Sequence, residues 1–168
     1  MNTTPRWLDA DEQRAWMAYV EFSTLLGDYL NRQLRRDAGT THADYTLLAQ
    51  LSSAPDRALG MSELARRLKI TRSRLTHAAN RLAEAGLVDR REDPADGRGQ
   101  LAVLTDEGMT LLEQAAPGHV EAVRRVVFDA LSREQVRQLA EIGEAIGEAL
   151  HRVESAEVDP AVLPWRRR

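Results

Sequence analysis

Between Leu64 and Ala83 the chain carries six Lys and Arg residues and no acid. This block is interrupted at Lys69-Ile70-Thr71, so it reads as two short helices meeting at a turn rather than as one long helix. Residues 64–98 hold 9 basic and 5 acidic side chains, against 6 and 9 in residues 1–63 and 8 and 12 in residues 99–168. The net charge of -3 therefore hides a local footprint for a polyanion inside an otherwise acidic chain of 168 residues.

The first of the two helices opens at Met61-Ser62-Glu63. Ser62 is expected to accept the orphan backbone donors, and Leu64, Ala65 and Leu68 to face inward. Thr71 caps the second helix, which runs to about Ala85 and ends at a left-handed Gly86. Projected at helical pitch, Leu75, Ala79 and Leu82 fall on one side. Ser73, Arg74, His77 and Arg81 fall on the other, with Thr76 and Asn80 at its border and Arg72 in the first turn. Guanidinium, amide and hydroxyl groups can bond base edges, and a helix laid in the major groove is read from its N-terminal half.

Leu87 to Arg91 and Gln100 to Leu104 read as two short strands. The six residues Pro94 to Gly99 between them, with Asp96-Gly97 as a turn signal, predict a protruding flap too long for a tight hairpin. The flap carries Arg90, Arg91 and Arg98. An arginine there can enter the minor groove beside a major-groove helix, with Asp96 holding Arg98 by a charged hydrogen bond.

Around this centre the pattern is helical. Residues 9–37 form a long helix with Trp16, Val20, Leu26, Leu30 and Leu34 on one stripe, ended by Gly39. Thr41 or a neighbour caps a helix whose apolar face is Tyr45, Leu48, Ala49 and Leu51, and Ser52 to Asp56 form a turn. Thr105-Asp106-Glu107 caps a fifth helix, which Pro117-Gly118 is expected to kink or restart. Ser132 caps a sixth helix with the stripe Val136, Leu139, Ile142, Ile146, Leu150 and Val153, and residues 154–168 read as a tail. The fold class is thus mainly α with a small β-wing: a winged helix-turn-helix over 42–104, flanked by long helices at 9–37 and 105–153. The aliphatic stripes of these flanking helices need cover, and a second copy of the chain would supply it.

The order Ser62-Glu63-Leu64-Ala65, Thr71 to Leu82, Gly86-Leu87-Val88-Asp89-Arg90, Asp96-Gly97-Arg98 and Leu104-Thr105-Asp106-Glu107-Gly108 resembles the MarR family of bacterial transcription regulators. The motifs cover roughly residues 45–110, and the Asp-x-Arg of the wing followed by Leu-Thr-x-x-Gly is their most specific part. The resemblance implies a homodimer with interlocked first and last helices. It implies a pseudo-palindromic duplex site, with Thr71 to Arg81 in the major groove and Arg98 in the minor groove. It implies repression relieved by a small, often phenolic or anionic, effector. DNA contacts are therefore expected from Thr71, Arg72, Ser73, Arg74, Thr76, His77, Asn80, Arg81, Arg91, Asp96 and Arg98. His77 stands where the family usually has a basic residue.

Other function classes find little support. The chain has no cysteine, which excludes disulfides, thiol sensing and Cys-based metal sites. No apolar run approaches the ~20 residues of a membrane span, and Met1 to Asp11 does not read as a secretory signal; a cytoplasmic protein is expected. The four histidines, at 42, 77, 119 and 151, form no catalytic or metal motif, and no cofactor is implied. Trp16, Tyr19, His42 and Tyr45 fall near the junction of the long helix and the basic part. They are either core aromatics or the seat of a small aromatic effector. A helical protein-interaction module would account for the terminal stripes but not for a basic helix followed by a basic flap.

Overall fold

The computed structural model describes residues 5–93 and 96–157, the side chains of 96–98 and 154–157 excepted. The chain forms two compact units that divide after Val123.

The first unit opens with α1 (Ala10–Ala38), capped by Asp9. The Asp11 and Glu12 N–H groups donate to Asp9 Oδ1 at 2.9 Å, and the Asp9 N–H donates to Glu12 Oε2 at 2.9 Å, a reciprocal capping box. Gly39 ends the helix at φ 64, as its position predicts. Thr41 caps α2 (His42–Ser52), its Oγ1 accepting from the Asp44 N–H at 3.1 Å. Leu47 joins Leu48 and Leu51 on the buried face, while Tyr45 and Ala49 sit at its edge.

After the turn comes a strand that periodicity does not reveal, β1 (Ala58–Gly60). Three residues are too few to show alternation. Its pairing is with β3, Ala58 opposite Val103 and Gly60 opposite Leu101. This pairing moves the start of α3 (Met61–Leu68) forward: Gly60, not Ser62, is the N-cap, and no side chain caps the helix. Ser62 lies inside the first turn and Met61 is buried.

α4 (Arg72–Glu84) follows, then β2 (Val88–Asp93) and β3 (Asp96–Leu104). The sheet order is β1-β3-β2, antiparallel throughout. The strands are longer than expected. Ladder pairing continues past a register shift at Glu92/Asp93 to Asp93 opposite Asp96, so only Pro94 and Ala95 separate them. The expected six-residue flap is thus mostly a paired ribbon, and Asp96-Gly97 is strand rather than turn.

The core of this unit gathers Leu47, Leu48 and Leu51 of α2, Leu64 of α3, Leu75, Ala79 and Leu82 of α4, and Val88, Ala102 and Leu104 of the sheet. α5 (Asp106–Val126) adds Leu112 and runs unbroken through Pro117. A proline removes one ladder bond, to the carbonyl four residues back. Here that residue is Glu113, exposed like Pro117 itself, so solvent can replace the lost donor.

In the second unit a 3-10 turn at Phe128–Ala130 leads to α6 (Arg133–Glu157). Ser132 caps it reciprocally, the Gln135 N–H donating to Ser132 Oγ at 3.2 Å and the Ser132 N–H to Gln135 Oε1 at 2.9 Å. The helix continues through residues 154–157, which were expected in the tail. Residues 158–168 lie outside the described part. Among the described residues, no helix is long and apolar enough to cross a membrane.

Candidate nucleic-acid interface

The turn between α3 and α4 is made by Lys69, in the left-handed region at φ 54. That conformation costs an L-residue roughly 1–2 kcal/mol. It is held by two bonds back into α3, from the Lys69 N–H to Arg66 O at 3.3 Å and from the Ile70 N–H to Ala65 O at 3.1 Å. Thr71 then caps α4 without delay, its Oγ1 accepting from the Arg74 N–H at 3.3 Å. A tight turn followed by an immediate cap gives the helix-turn-helix its fixed angle.

α4 divides as its sequence predicts. Leu75, Ala79 and Leu82 are buried, and Arg72, Ser73, Arg74, His77, Asn80 and Arg81 are exposed. The exposed residues nevertheless differ in what holds them. Arg72, Ser73, Arg74 and His77 have no side-chain hydrogen bond or ion pair among the described residues. Thr76 is half-buried, and its hydroxyl donates to Arg72 O at 2.9 Å. Arg81 Nη2 donates to Asp44 Oδ1 at 2.5 Å, and Asn80 Oδ1 accepts from Arg90 Nη1.

Acids just outside the basic block also reduce its charge. Glu63 accepts from Arg66 Nε at 2.9 Å and from Arg67 Nε at 2.7 Å, and these bonds pull its carboxyl down to about 2. The single carboxylate of Glu63 thus offsets one of the two charges that Arg66 and Arg67 bring. Among the described residues, Arg72 and Arg74 at the start of α4 have no acidic partner, and they stand at the helix end that a major groove would meet first.

In the wing, Arg90 Nη2 donates to Gln100 Oε1 across the ribbon, and Arg91 Nη2 donates to Asp89 Oδ2 at 3.2 Å. Asp96 and Arg98 are placed on β3 by their backbone, and their side chains lie outside the described part. The base of the wing is stitched to the rest by Thr105, whose hydroxyl donates to Gly86 O at 2.8 Å and accepts from the Gly108 N–H at 3.0 Å.

The four aromatic residues considered for an effector do not form one cluster. Trp16 stacks on Tyr19 at 5.7 Å between ring centroids, and Tyr19 meets Phe22 edge-on at 5.6 Å. These three side chains are about half exposed. Tyr45 and His42 instead gather around His119 of α5, at 4.6 and 5.6 Å. His119 Nδ1 lies 3.4 Å from Oε1 of the buried Gln33, whose Nε2 donates to Asp37 at 3.0 Å. Burial pushes both imidazole pKa values down, and His42 lowers that of His119 further. Sequence reasoning missed His119 as a member of this group. The available signal was its place on the α5 face that carries Leu112, Ala115 and Ala122, all buried. Among the described residues, no group of His, Asp or Glu is placed to hold a metal ion.

A helix-turn-helix backed by a three-stranded sheet with a projecting ribbon defines a winged-helix DNA-binding protein. Residues 38–99 match the model of the MarR family. Among solved structures, the chain is 54% identical to Sco3205, a MarR family transcriptional regulator from Streptomyces coelicolor in complex with DNA. That alignment covers 89% of this chain and 93% of the other, at a TM-score of 0.85. AbsC, a MarR family transcriptional regulator from the same organism, is 37% identical over 88% of this chain and 99% of its own, at a TM-score of 0.83. The transcriptional repressor YetL of Bacillus subtilis is 32% identical over 111 residues, 64% of this chain and 66% of YetL, just under two thirds of its length. The chain belongs to the MarR family of winged-helix DNA-binding transcriptional regulators, and its fold and relatives are not those of an enzyme.

Proposed function

We propose that the chain is a cytoplasmic repressor that binds a pseudo-palindromic duplex site as a homodimer, with 9–37 and 105–153 as dimerisation helices. The first half of α4 lies in the major groove and the wing reaches the adjacent minor groove through Arg98. The observation that carries this reading is the set Arg72, Ser73, Arg74 and His77: exposed, free of side-chain partners among the described residues, and mounted on a helix whose other face is locked into the core. The similarity to Sco3205, solved in complex with DNA, supports it. The exposed stripes of α1 and α6 support the dimer. Thr71, Thr76, Asn80, Arg81, Arg91 and Asp96 complete the proposed contact surface, as base readers, phosphate ligands or supports. Release by a small aromatic or anionic effector belongs to the same reading, with Trp16 and Tyr19 at one candidate seat and His42 and Tyr45 at another.

The test is selection of bound fragments from random-sequence duplexes, followed by titration of the winning duplex at several salt concentrations. The expected outcome is a two-fold-related consensus, a steep salt dependence, and strong weakening by Arg98→Ala with the dimer intact. No consensus with a flat salt titration would leave a helical association module instead. Affinity of Arg98→Ala within about twofold of wild type would remove the wing from the reading.

A further inference from the structure

Two exposed polar residues of α4 are engaged from outside the helix, in two directions. Asn80 and Arg81 are adjacent in sequence and therefore point about 100° apart around the helix. Arg81 is held by Asp44 of α2, a residue only 6% exposed. Asp44 Oδ2 accepts from the Thr41 hydroxyl at 2.7 Å, so both carboxylate oxygens are occupied, one by the cap of its own helix and one by α4. Asn80 is held by Arg90 of β2, which also reaches Gln100 of β3. Arg90 thereby ties α4 to both strands of the wing.

We infer that Asn80 and Arg81 are positioning residues: held by Arg90 and Asp44, they fix the far end of α4 so that Arg72, Ser73, Arg74 and His77 meet DNA at a set angle. This rests on the reading of α4 as the base-reading helix, and it moves Asn80 and Arg81 from the readers to the supports.

Three considerations favour support over reading. Arg81 lies ten residues beyond Thr71, about 15 Å along the axis at 1.5 Å per residue, whereas groove-bound helices are read near their N-terminus. If Arg81 swung out to a base, it would strand a buried carboxylate without its cation, which is strongly unfavourable. Asn80 would have to share with a base the amide oxygen that Arg90 already uses, and its orientation is set by that bond. The two ties also differ in kind. The Asp44 tie anchors α4 to the helix beneath it, and the Arg90 tie sets the angle between α4 and the wing.

The experiment starts with the duplex that the wild-type protein selects from a random-sequence pool. Affinities for this duplex and for a random duplex are measured well below each variant's unfolding temperature, for Asp44→Asn, Arg81→Gln and the double variant. We expect each single change to weaken the selected duplex about tenfold and the double to be no worse than the stronger single, because both remove one interaction. Random-duplex binding should shift by less than about threefold, and selection repeated with Arg81→Gln should return the wild-type consensus. A role in stability alone would lower the unfolding temperature and leave the affinity of the folded protein unchanged. Positioning is overturned if Asp44→Asn binds as tightly as wild type, if the losses add, or if Arg81→Gln selects a different base at one position. Should Asp44→Asn fail to fold, Arg81→Lys decides. It keeps a cation opposite Asp44, so it should recover most of the lost affinity with the same consensus, and a changed consensus overturns the inference. A wild-type protein that selects no sequence overturns both the base-reading helix and its positioning, whereas variants that match wild type overturn the positioning alone.

Discussion

The winged-helix core and the stripe of α6 are built from the same kind of side chain and meet opposite fates. Leu47, Leu48, Leu51, Leu64 and Leu75 are at most 1% exposed, whereas Ile142, Ile146, Leu150 and Val153 are 51–58% exposed. The difference lies in what folding supplies: α2, α3, α4 and the sheet cover one another, whereas the side chains of the α6 stripe stay exposed among the described residues. The border even falls within a single helix. On α1, Leu30 and Leu34 are buried, while Trp16, Met17, Tyr19 and Leu25 are 50–61% exposed. Exposed apolar stripes of this kind suit an interaction site, which is the role proposed for them. The contrast separates a module finished by folding from surfaces to be finished by association.

The largest effect should come from charging the unfinished side. Ile142→Asp combined with Ile146→Asp is expected to turn the proposed dimer into a folded monomer in sedimentation. Loss of the second half-site contact should then weaken operator binding by about a hundredfold or more. A double variant that stays dimeric would place the interface elsewhere. Next comes the finished side. Leu48→Ala is expected to cost about 2–5 kcal/mol in denaturant titration, the range for a buried leucine, without changing the oligomeric state under native conditions. A loss below about 0.5 kcal/mol would mean that α2 is not part of a tightly packed core.

The smallest effect concerns His42 and His119, between the two regimes. Both have folded pKa values below the ordinary 6.5 because of burial. Tyr45 and Gln33 face them, and Asp37 is reached only through Gln33. Between the folded and unfolded pKa values the unfolded chain binds more protons, so stability rises with pH there. This contribution is complete above about pH 6.5 and declines as pH falls through the lower, folded values. Thermal midpoints between about pH 7.5 and 5.5 should therefore fall more steeply for wild type than for His119→Gln. Equal slopes would show that the pair does not contribute.

The legible parts of the molecule are those whose causes are local. Thr41, Thr71 and Ser132 as caps, Gly39 and Gly86 as helix ends, and the split of α4 into Leu75-Ala79-Leu82 and its polar face all depend on neighbours within a few residues. What sequence could not show depends on partners far along the chain. β1 exists because β3 pairs with it, and this pairing is what displaced Ser62 from its expected capping role. The wing strands grew because their ladder continued to Asp93 and Asp96. Asp44 reads as an ordinary acid in a first turn until α4 brings Arg81 against it. A signal was available, since Asp44 shares its face with Leu47, Leu48 and Leu51, and a lone acid on an apolar face calls for a partner. The Leu-Thr-x-x-Gly motif was legible as a pattern and only the structure gives its reason. A Cβ on Gly108 would lie 2.2 Å from the carbonyl oxygen of Leu87, so only glycine lets α5 approach the wing's base this closely.

Thr105 joins these observations. Its hydroxyl ties Gly86, where α4 has ended, to Gly108, where α5 has begun. Were α5 to tilt about that joint, it would act as a lever pivoted beside the end of α4. From Asp106 to Ala122 the lever is about 25 Å long at 1.5 Å per residue, so a tilt of about 10° at Thr105 displaces its far end by roughly 4 Å. Run in reverse, a displacement of that size imposed on the far end of α5 would reach Thr105 as a tilt of about 10°, and through its hydroxyl the end of α4. On the proposed reading, a molecule that shifts α5 would change the grip on DNA without touching the proposed DNA-reading surface.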